Sequence, residues 1–422
     1  MLKQNMAIGW QPTEKAAGPG LLERACQAML LISFVAVIGR QALAAPLRAY
    51  GAELWYVPDG IMFAALPLLV ISLLSQGRLR VVSVVLGLML WSVLSLIVLH
   101  PLSVLFGMRF VLAFIAALAT GMLCRRLDGL LRLALIGLCG LTIAGAIFES
   151  LFDLPWSGLR FDGAFGTKEV SRQWWLEDET RRIAGLGISS TDTALFISCA
   201  MLMISTGNRR SSRVLGLLLI GPALYALWLT QQRAAMAWFG ILWSVSFLYL
   251  LVLGHTGAPA ATRALKLAGC AATFGCVVAP FALYDVDVGG IFGFSASSLL
   301  DRTKVVWPWA IERALSIPQL LFGSGLGSVG EAAAYTDVNM SLPPDNMFLF
   351  LLTLCGLGAF GMVWLVIRGI LAITETGEGR IPALAVLVLL LLNGVTANIV
   401  GGLVGISFLG LSLGTIFRSE AE

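Results

Sequence analysis

Apolar runs long enough to cross a lipid bilayer recur along almost the whole chain. One of them, residues 103–123, reads SVLFGMRFVLAFIAALATGML and contains a single charged residue. A membrane-spanning helix needs about 20 mostly apolar residues. Within lipid, a helix satisfies its own backbone hydrogen bonds, which an open strand or loop does not. The pattern therefore predicts an all-α, polytopic membrane protein.

The composition agrees with that prediction and excludes several function classes. Of the 422 residues, 58% are hydrophobic and 12% are charged, whereas roughly a quarter of the residues of a soluble domain are charged. The seven cysteines form no CxxC pair and there are only two histidines, so neither a disulfide framework nor a zinc site is indicated. The net charge of +4 comes without a basic tract suited to nucleic acid. We expect no metal and no cofactor.

The apolar segments predict twelve spans within one integral membrane domain, residues 1–422. The expected spans are 24–44, 60–77, 81–99, 103–123, 130–150, 186–207, 213–230, 233–253, 264–284, 346–368, 381–398 and 400–417. The first twenty residues are polar and lack a signal-peptide core, so we expect a short cytoplasmic tail.

Basic residues after each even-numbered span set the orientation. They are Arg78 and Arg80; Arg125, Arg126 and Arg132; Arg209, Arg210 and Arg213; Arg263 and Lys266; and Arg368 and Arg380. Short basic loops stay on the cytoplasmic side, so both termini are expected there. Two long loops, 151–185 and 285–345, are then expected on the outer face. In the second, WPWAIERALSIPQLLFG predicts an amphipathic helix on the membrane surface.

Arginines and a carboxylate gather on the expected outer face. Arg181 and Arg182 precede the sixth span, Arg233 lies in a tight turn, Arg302 lies in the second long loop and Asp345 opens the tenth span. Arginine binds phosphate through a planar, permanently charged fork, and a neighbouring carboxylate can take a proton from a hydroxyl. Aromatic residues of these loops can lie against sugar rings. The residues alone indicate an outer-face site for an anionic, lipid-linked substrate.

Each of these features also has a simpler interpretation. Asp345 follows two prolines, which suits a helix N-cap, and Arg233 can anchor a helix end at the headgroups. The tryptophans fit an interfacial belt. Arg109, inside the fourth span, can snorkel or pair with a neighbour such as Asp192. GSGLGSVG, residues 323–330, lacks the P-loop lysine and is interpreted as a flexible turn packed near the site.

Four segments, in this order, resemble the O-antigen ligase/polymerase superfamily of bacterial membrane glycosyltransferases. They are RIAGLGISSTDTALF (182–196), LTQQRAAMAW (229–238), SLLDRTKVVWPWAIERALSIPQLLFGSGLGSVG (298–330) and DNMFLFLLTLCGLGAFG (345–361). Gln232 stands where the family usually has serine. The motifs cover about residues 180–365, and the remainder resembles the family only in its layout of spans.

The resemblance implies a metal-independent, inverting transfer at the periplasmic face of the bacterial inner membrane. Its donor would be a glycan on undecaprenyl pyrophosphate, with membrane lipid around it and a chain-length-regulating copolymerase as a possible partner. The residues implied are Asp345, Arg233 and Arg302 for catalysis and Arg182, Asn346, Arg181 and Trp307 for substrate binding. Ligases of the superfamily usually have His-Asn where this chain has Asp345-Asn346, and that difference favours a Wzy-type polysaccharide polymerase.

Three alternatives stay open at this stage. A ligase would move the glycan to another acceptor. A twelve-helix secondary transporter fits the number of spans, but the two halves show no repeat and the outer loops are large. A cell-wall glycosyltransferase of the shape–elongation–division type also uses lipid-linked donors, although the arginine motifs fit it less well.

Overall fold

Helices make up most of the chain in the computed structural model, which describes residues 20–77, 79–124, 128–163, 166–171, 174–175, 181–206, 210–252, 258–286, 297–336, 344–373 and 380–418. The helices are α1 (Leu21–Ala42), α2 (Ala44–Tyr50), α3 (Val57–Ser75), α4 (Leu79–Leu94), α5 (Pro101–Leu123), α6 (Asp128–Leu151), α7 (Ser190–Ser205), α8 (Arg210–Leu229), α9 (Arg233–Val252), α10 (Ala258–Ala282), α11 (Ser297–Asp301), α12 (Trp307–Ala314), α13 (Gln319–Phe322), α14 (Met347–Cys355), α15 (Gly358–Ala372), α16 (Ile381–Gly394) and α17 (Leu403–Phe417). The all-α prediction is confirmed. The expected N-terminal tail and the basic residues Arg78, Arg125, Arg126 and Arg209 lie outside the described residues.

Several helices have the length and apolarity of membrane spans. Within the described residues five qualify: Leu21–Ala42, Glu53–Ser75, Pro101–Leu123, Asp128–Leu151 and Pro259–Ala282. The same part of the chain contains six shorter apolar helices of 10–17 residues. Every segment expected to span the membrane overlaps at least one helix, and the chain is a helical membrane protein.

The segment expected as one continuous span, residues 346–368, is two helices. Gly356 ends α14 with a φ of +55°, a conformation that suits glycine. The backbone N–H of Leu357 then donates to the carbonyl of Leu320 at 2.9 Å, and a Cβ on Gly356 would lie 2.5 Å from that same oxygen. The loop around α13 therefore packs into the break, and the expectation of an unbroken helix was wrong.

Helix α16 forms the centre of the bundle. Its residues from Ala383 to Leu391 are fully buried, and it packs against α7, α9, α10 and α17. A helix that is apolar all round, as this one is, belongs inside a bundle rather than at its surface. The carbonyl of Val395, the residue directly after α16, accepts a hydrogen bond from Asn346 at the start of α14.

Small residues bring α17 against α5. A Cβ on Gly414 would lie 2.1 Å from the carbonyl oxygen of Leu118, and one on Gly410 would lie 2.6 Å from that of Phe114. Glycines four residues apart allow two helix backbones to approach this closely. The contact ties the C-terminal helix to the middle of the chain.

The loop 151–185 contains short strands that the sequence analysis did not predict. Strands β1 (Arg160–Gly163) and β2 (Gly166–Glu169) form one antiparallel pair, and β3 (Trp174–Trp175) and β4 (Arg181–Arg182) form another. Such small pairs have open edges, which water can satisfy and lipid cannot. Each strand is too short for its alternation of apolar and polar side chains to be recognised in the sequence.

The amphipathic helix of the second long loop is shorter than expected and faces protein. Helix α12 buries Trp307, Ala310, Ile311 and Ala314, which follow the helical spacing of one face. That face packs against α14 rather than lying on lipid. The chain leaves the helix at Leu315 and forms the separate turn α13.

Candidate active site

An ion pair joins the second long loop to the start of α14. The Nε of Arg302 lies 3.1 Å from Oδ2 of Asp345, with the two side chains 22% and 37% exposed. Arg302 opens a single turn of π-helix, Arg302–Val306, between α11 and α12. The pair is thus partly shielded from solvent yet accessible to a ligand.

Trp307 fixes the backbone of that carboxylate. Its indole Nε1 donates to the backbone oxygen of Asp345 at 3.3 Å, and the side chain has no exposed surface. An indole buried in this way offers no face to a sugar ring. The expected substrate contact by Trp307 therefore does not match the structure, in which this residue positions Asp345.

Asp345 was expected to cap α14, and the structure shows otherwise. Asn346, rather than Asp345, is the N-cap, and its Oδ1 accepts the backbone N–H of Leu349 at 2.9 Å. Its Nδ2 donates to the carbonyls of Cys276 and Val395 at 3.1 and 2.9 Å. Asn346 is fully buried and its amide is occupied by these contacts, which makes it structural here. The cap leaves the Asp345 carboxylate available to Arg302.

The positive charges of Arg302 and Arg233 both act on a further arginine, Arg182. The pKa of Arg182 is lowered by burial and by the positive charges of Arg233 and Arg302. Arg233 and Arg302 therefore both contribute to the positive potential at Arg182. Among these four charged groups, Asp345 carries the only negative charge.

Two hydrogen bonds link the segments that carry Arg182 and Arg233, which lie far apart in the chain. Arg182 lies in β4, and the next residue, Ile183, donates its backbone N–H to the carbonyl of Leu229 at 3.1 Å. Gln232 then donates to the hydroxyl of Ser190 at 3.2 Å. Arg233 is the first residue of α9, where the helix dipole adds positive potential.

Arg181 points into the scaffold instead of joining this site. Its guanidinium pairs with the Oε1 of Glu149 at the end of α6. The other oxygen of Glu149 accepts the backbone N–H groups of Ala184 and Gly185. These contacts hold the segment that carries Arg182. Substrate contact by Arg181 itself stays a prediction.

The electrostatics of Asp345 suit a general base. Burial raises the pKa of its carboxyl group above the ordinary range, and the Arg302 guanidinium opposes that rise. A carboxylate with a raised pKa takes up a proton more readily once it is ionised. Arg302 beside it supplies positive charge of the kind that a phosphate or pyrophosphate requires.

The glycine-rich turn that follows α13 is packed. Gly325 to Gly330 are buried, and the backbone N–H groups of Ser324 and Gly325 donate to the carbonyls of Thr353 and Leu354 at 2.8 and 3.0 Å. The turn thereby satisfies the C-terminal carbonyls of α14. The expected packing of this turn is confirmed, and the turn packs against the end of α14, next to the break in the helix.

The expected partner of Arg109 was wrong. Arg109 donates to Oδ1 of Asp59 at 3.2 Å, while Asp192 accepts a hydrogen bond from Ser189 at the start of α7. Asp59 also accepts from Arg40 at 2.8 Å. Sequence reasoning missed this cluster, although charges next to apolar runs were a visible signal in the sequence.

No group of three or more histidine, cysteine, aspartate or glutamate side chains suited to a metal occurs in the described part of the chain. No protein-family model matches the sequence, and no curated protein matches it.

Proposed function

We propose that this protein is a membrane glycosyltransferase that polymerises lipid-linked oligosaccharides. The donor is a growing glycan on undecaprenyl pyrophosphate, and the acceptor is the non-reducing end of one lipid-linked repeat unit. The observation that carries the proposal is the ion pair of Arg302 with Asp345, a carboxylate whose pKa is raised by burial, together with the positive charges of Arg233 and Arg302 that act on Arg182.

The proposed reaction uses these groups without a metal. An acceptor hydroxyl attacks the anomeric carbon of the donor and forms the new glycosidic bond, with inversion. The bond from that carbon to the pyrophosphate oxygen breaks, and Asp345 takes the hydroxyl proton. The departing undecaprenyl pyrophosphate keeps the bonding electron pair, and its charge is stabilised by Arg233 and Arg302. Preorganised charge of this kind is often the largest single catalytic contribution.

Arg302 links donor binding to the basicity of Asp345. In the present structure its guanidinium opposes the rise in the pKa of Asp345. A bound pyrophosphate competes for the same guanidinium and weakens its hold on the carboxylate. The pKa of Asp345 then rises further, so the base becomes stronger when the donor is in place.

The topology is part of the proposal. Twelve spans cross the bacterial inner membrane, with both termini in the cytoplasm and loops 151–185 and 285–345 in the periplasm. Asp345 then lies at the membrane boundary, where the sugar leaves the lipid and the polyprenyl chain remains in it. A copolymerase that regulates chain length is the expected protein partner.

The decisive experiment uses purified protein in detergent, lipid-pyrophosphate-linked repeat units and EDTA, with the products separated on a glycan gel. Wild type should give a ladder and Asp345→Asn should not. Asp285→Asn is the matched control, because Asp285 is a 68% exposed carboxylate paired with Lys304. A ladder from Asp345→Asn would remove the general base from the mechanism. Transfer of one unit to a different acceptor, without a ladder, would replace the polymerase by a ligase.

A further inference from the structure

The chain between α12 and the glycine-rich turn exposes a patch of large apolar side chains. Its members and their exposed fractions are Ile317 (80%), Phe322 (72%), Leu315 (48%) and Leu321 (48%). None of the four residues of α13 is buried. The sequence contains no charged residue from position 314 to position 330. A contiguous apolar patch of this kind marks a surface that contacts another molecule or a membrane.

The backbone around the patch satisfies its own hydrogen bonds. The N–H groups of Leu320, Leu321 and Phe322 donate to carbonyl oxygens within the same turn at 2.8, 3.0 and 3.2 Å. Two polar side chains also pair with each other, because the hydroxyl of Ser316 donates to Oε1 of Gln319 at 2.9 Å. Hydrocarbon offers no partner to an open N–H or C=O group, so a backbone that lies in lipid must be satisfied within the protein. These contacts meet that condition.

The chain that follows α13 packs against the first two turns of α5. A Cβ on Gly327 would lie 2.1 Å from the backbone oxygen of Ser103, and one on Gly107 would lie 2.7 Å from Cγ of Leu326. Helix α5 has the length and apolarity of a membrane span. Gly107 is its seventh residue, which places it about 9 Å along the helix from the first. This part of the long loop therefore runs beside a span rather than beyond its end.

The apolar patch is continuous with an exposed stripe on α15. The backbone N–H of Leu357 donates to the carbonyl of Leu320 at 2.9 Å and joins α13 to the start of α15. Leu357, Phe360 and Trp364 follow helical spacing along one face, and all three are exposed. Helix α15 is one of the shorter apolar helices. Lipid chains, rather than water, are the favourable surroundings for such a stripe on a membrane protein.

We infer that residues 315–327 form a re-entrant segment that returns into the lipid layer, where Leu315, Ile317, Leu321 and Phe322 contact acyl chains. Lipid is the occupant of the patch because the patch is uncharged and continues the exposed apolar face of α15. The long loop 285–345, expected to lie wholly outside the membrane, is then partly embedded in it. This inference goes beyond the proposed function and does not depend on it.

The re-entrant segment also fixes the candidate site relative to the bilayer. Trp307, whose indole holds the backbone of Asp345, is the first residue of α12, and Leu315 directly follows the last. The eight residues of α12 span about 12 Å. Lipid contact at the far end of α12 therefore holds the pair of Arg302 and Asp345 near the membrane surface.

Site-directed spin labelling of the full chain in lipid nanodiscs tests the inference. Ile317→Cys and Phe322→Cys place labels in the re-entrant segment. Val305→Cys is the matched control, because Val305 is an exposed apolar residue of the same long loop and lies next to Lys304. The native cysteines are buried or half-buried, and the unmodified chain gives their background. Power saturation measures how often each label collides with oxygen, which concentrates in lipid, and with a water-soluble nickel chelate.

The labels at positions 317 and 322 should collide more with oxygen, and less with the nickel chelate, than the label at position 305. Labels at 317 and 322 that meet the chelate as often as the control would overturn the inference, because the patch would then face water. Labels shielded from both reagents would overturn it as well, since protein would then cover the patch.

Photocrosslinking of the unmodified chain supplies a second measurement that needs no variant. Phosphatidylglycerol with a diazirine in its acyl chain is the probe, and fragmentation of the digested protein assigns the labelled positions. Labels are expected within residues 315–322 and on α15, but not within the π-helical turn Arg302–Val306. Labelling of α15 without residues 315–322 would contradict a re-entrant segment. Neither measurement uses the proposed reaction, so failure of that reaction leaves both results unchanged.

Discussion

Arg302 and Asp345 lie 43 residues apart in the chain, and their side chains meet at 3.1 Å between Nε and Oδ2. Arg302 lies in a single π-helical turn of a long loop. Asp345 directly precedes Asn346, the N-cap of α14. Their contact joins the most basic part of the candidate site to its carboxylate. The charge state of this pair governs what the site can do.

The first prediction concerns pH. Burial raises the pKa of Asp345, and a general base must be ionised to work. Activity should therefore fall as the pH decreases through this raised pKa, and the acid limb should lie above that of an ordinary aspartate. The measurement is kcat/KM against pH for wild type and Arg302→Ala.

Arg302→Ala removes the guanidinium that opposes the rise in the pKa of Asp345. The acid limb of the kcat/KM profile should therefore move to higher pH in this variant. Asp285→Asn should keep the wild-type profile. A limb that moves to lower pH in Arg302→Ala would contradict the electrostatic account.

The second prediction concerns the loss of one arginine. Arg302→Ala and Arg233→Ala should each reduce kcat about 100-fold or more, because each removes a fixed charge beside the departing pyrophosphate. Lys304→Ala is the control for Arg302, since Lys304 belongs to the same turn and pairs with Asp285 at the surface. Steady-state rates at saturating donor measure the effect. Normal polymer yield from Arg233→Ala would exclude that residue.

The third prediction separates structure from catalysis at Asn346. Asn346→Ala loses the cap of α14 and leaves the carbonyls of Cys276 and Val395 without a donor. The free energy of unfolding should fall by about 2–4 kcal/mol. Denaturant titration in detergent measures it. Asn398→Ala, which loses a single contact to Gly401, should cost less. Equal stability of the two variants would contradict the structural role.

The fourth prediction concerns the segment that carries Arg182. Glu149→Gln removes the negative charge that Arg181 and two backbone N–H groups share. Breaking one side of a buried pair should cost about 3–5 kcal/mol. The thermal midpoint and the activity should both fall. The double variant with Arg181→Gln should recover part of the stability, because no unpaired charge remains. Failure of that recovery would show that the ion pair is not the cause.

The fifth prediction tests the approach of α17 to α5. Gly414→Ala places a Cβ about where the Leu118 carbonyl lies, because an ideal Cβ would be 2.1 Å from that oxygen. The variant should unfold more readily than wild type. Gly137→Ala is the control, since a Cβ there meets nothing within 4 Å, and it should stabilise α6 by up to about 1 kcal/mol. Similar stability of both variants would argue against tight packing at Gly414.

Residues 346–368 show where sequence reasoning reached its limit. Their apolar run predicted a helix, and helix does form on both sides of Gly356. The break depends on a carbonyl of Leu320 that arrives from another part of the chain. Gly356 was visible in the sequence, but the sequence did not show that Leu320 packs against it.

For the candidate site, too, the sequence indicated the residues but not their contacts. Arg182, Arg233, Arg302 and Asp345 were named from their types and their places beside apolar runs. The contacts that place them, such as Ile183 with Leu229 and Arg302 with Asp345, are not encoded by any local pattern. Trp307 and Asn346 were assigned to substrate, whereas both are buried and hold the backbone around Asp345. A polar side chain looks the same in a sequence whether it faces a ligand or caps a helix.

The sequence by itself determined that the chain is a helical membrane protein and where most helices lie, because backbone hydrogen bonding in lipid leaves helix as the only solution for long apolar runs. Tertiary structure decided which charges meet. Arg109 pairs with Asp59 rather than Asp192, Arg181 with Glu149, and Arg302 with Asp345. Such pairs join residues far apart in the chain, and their partners follow from helix packing, which local periodicity does not specify.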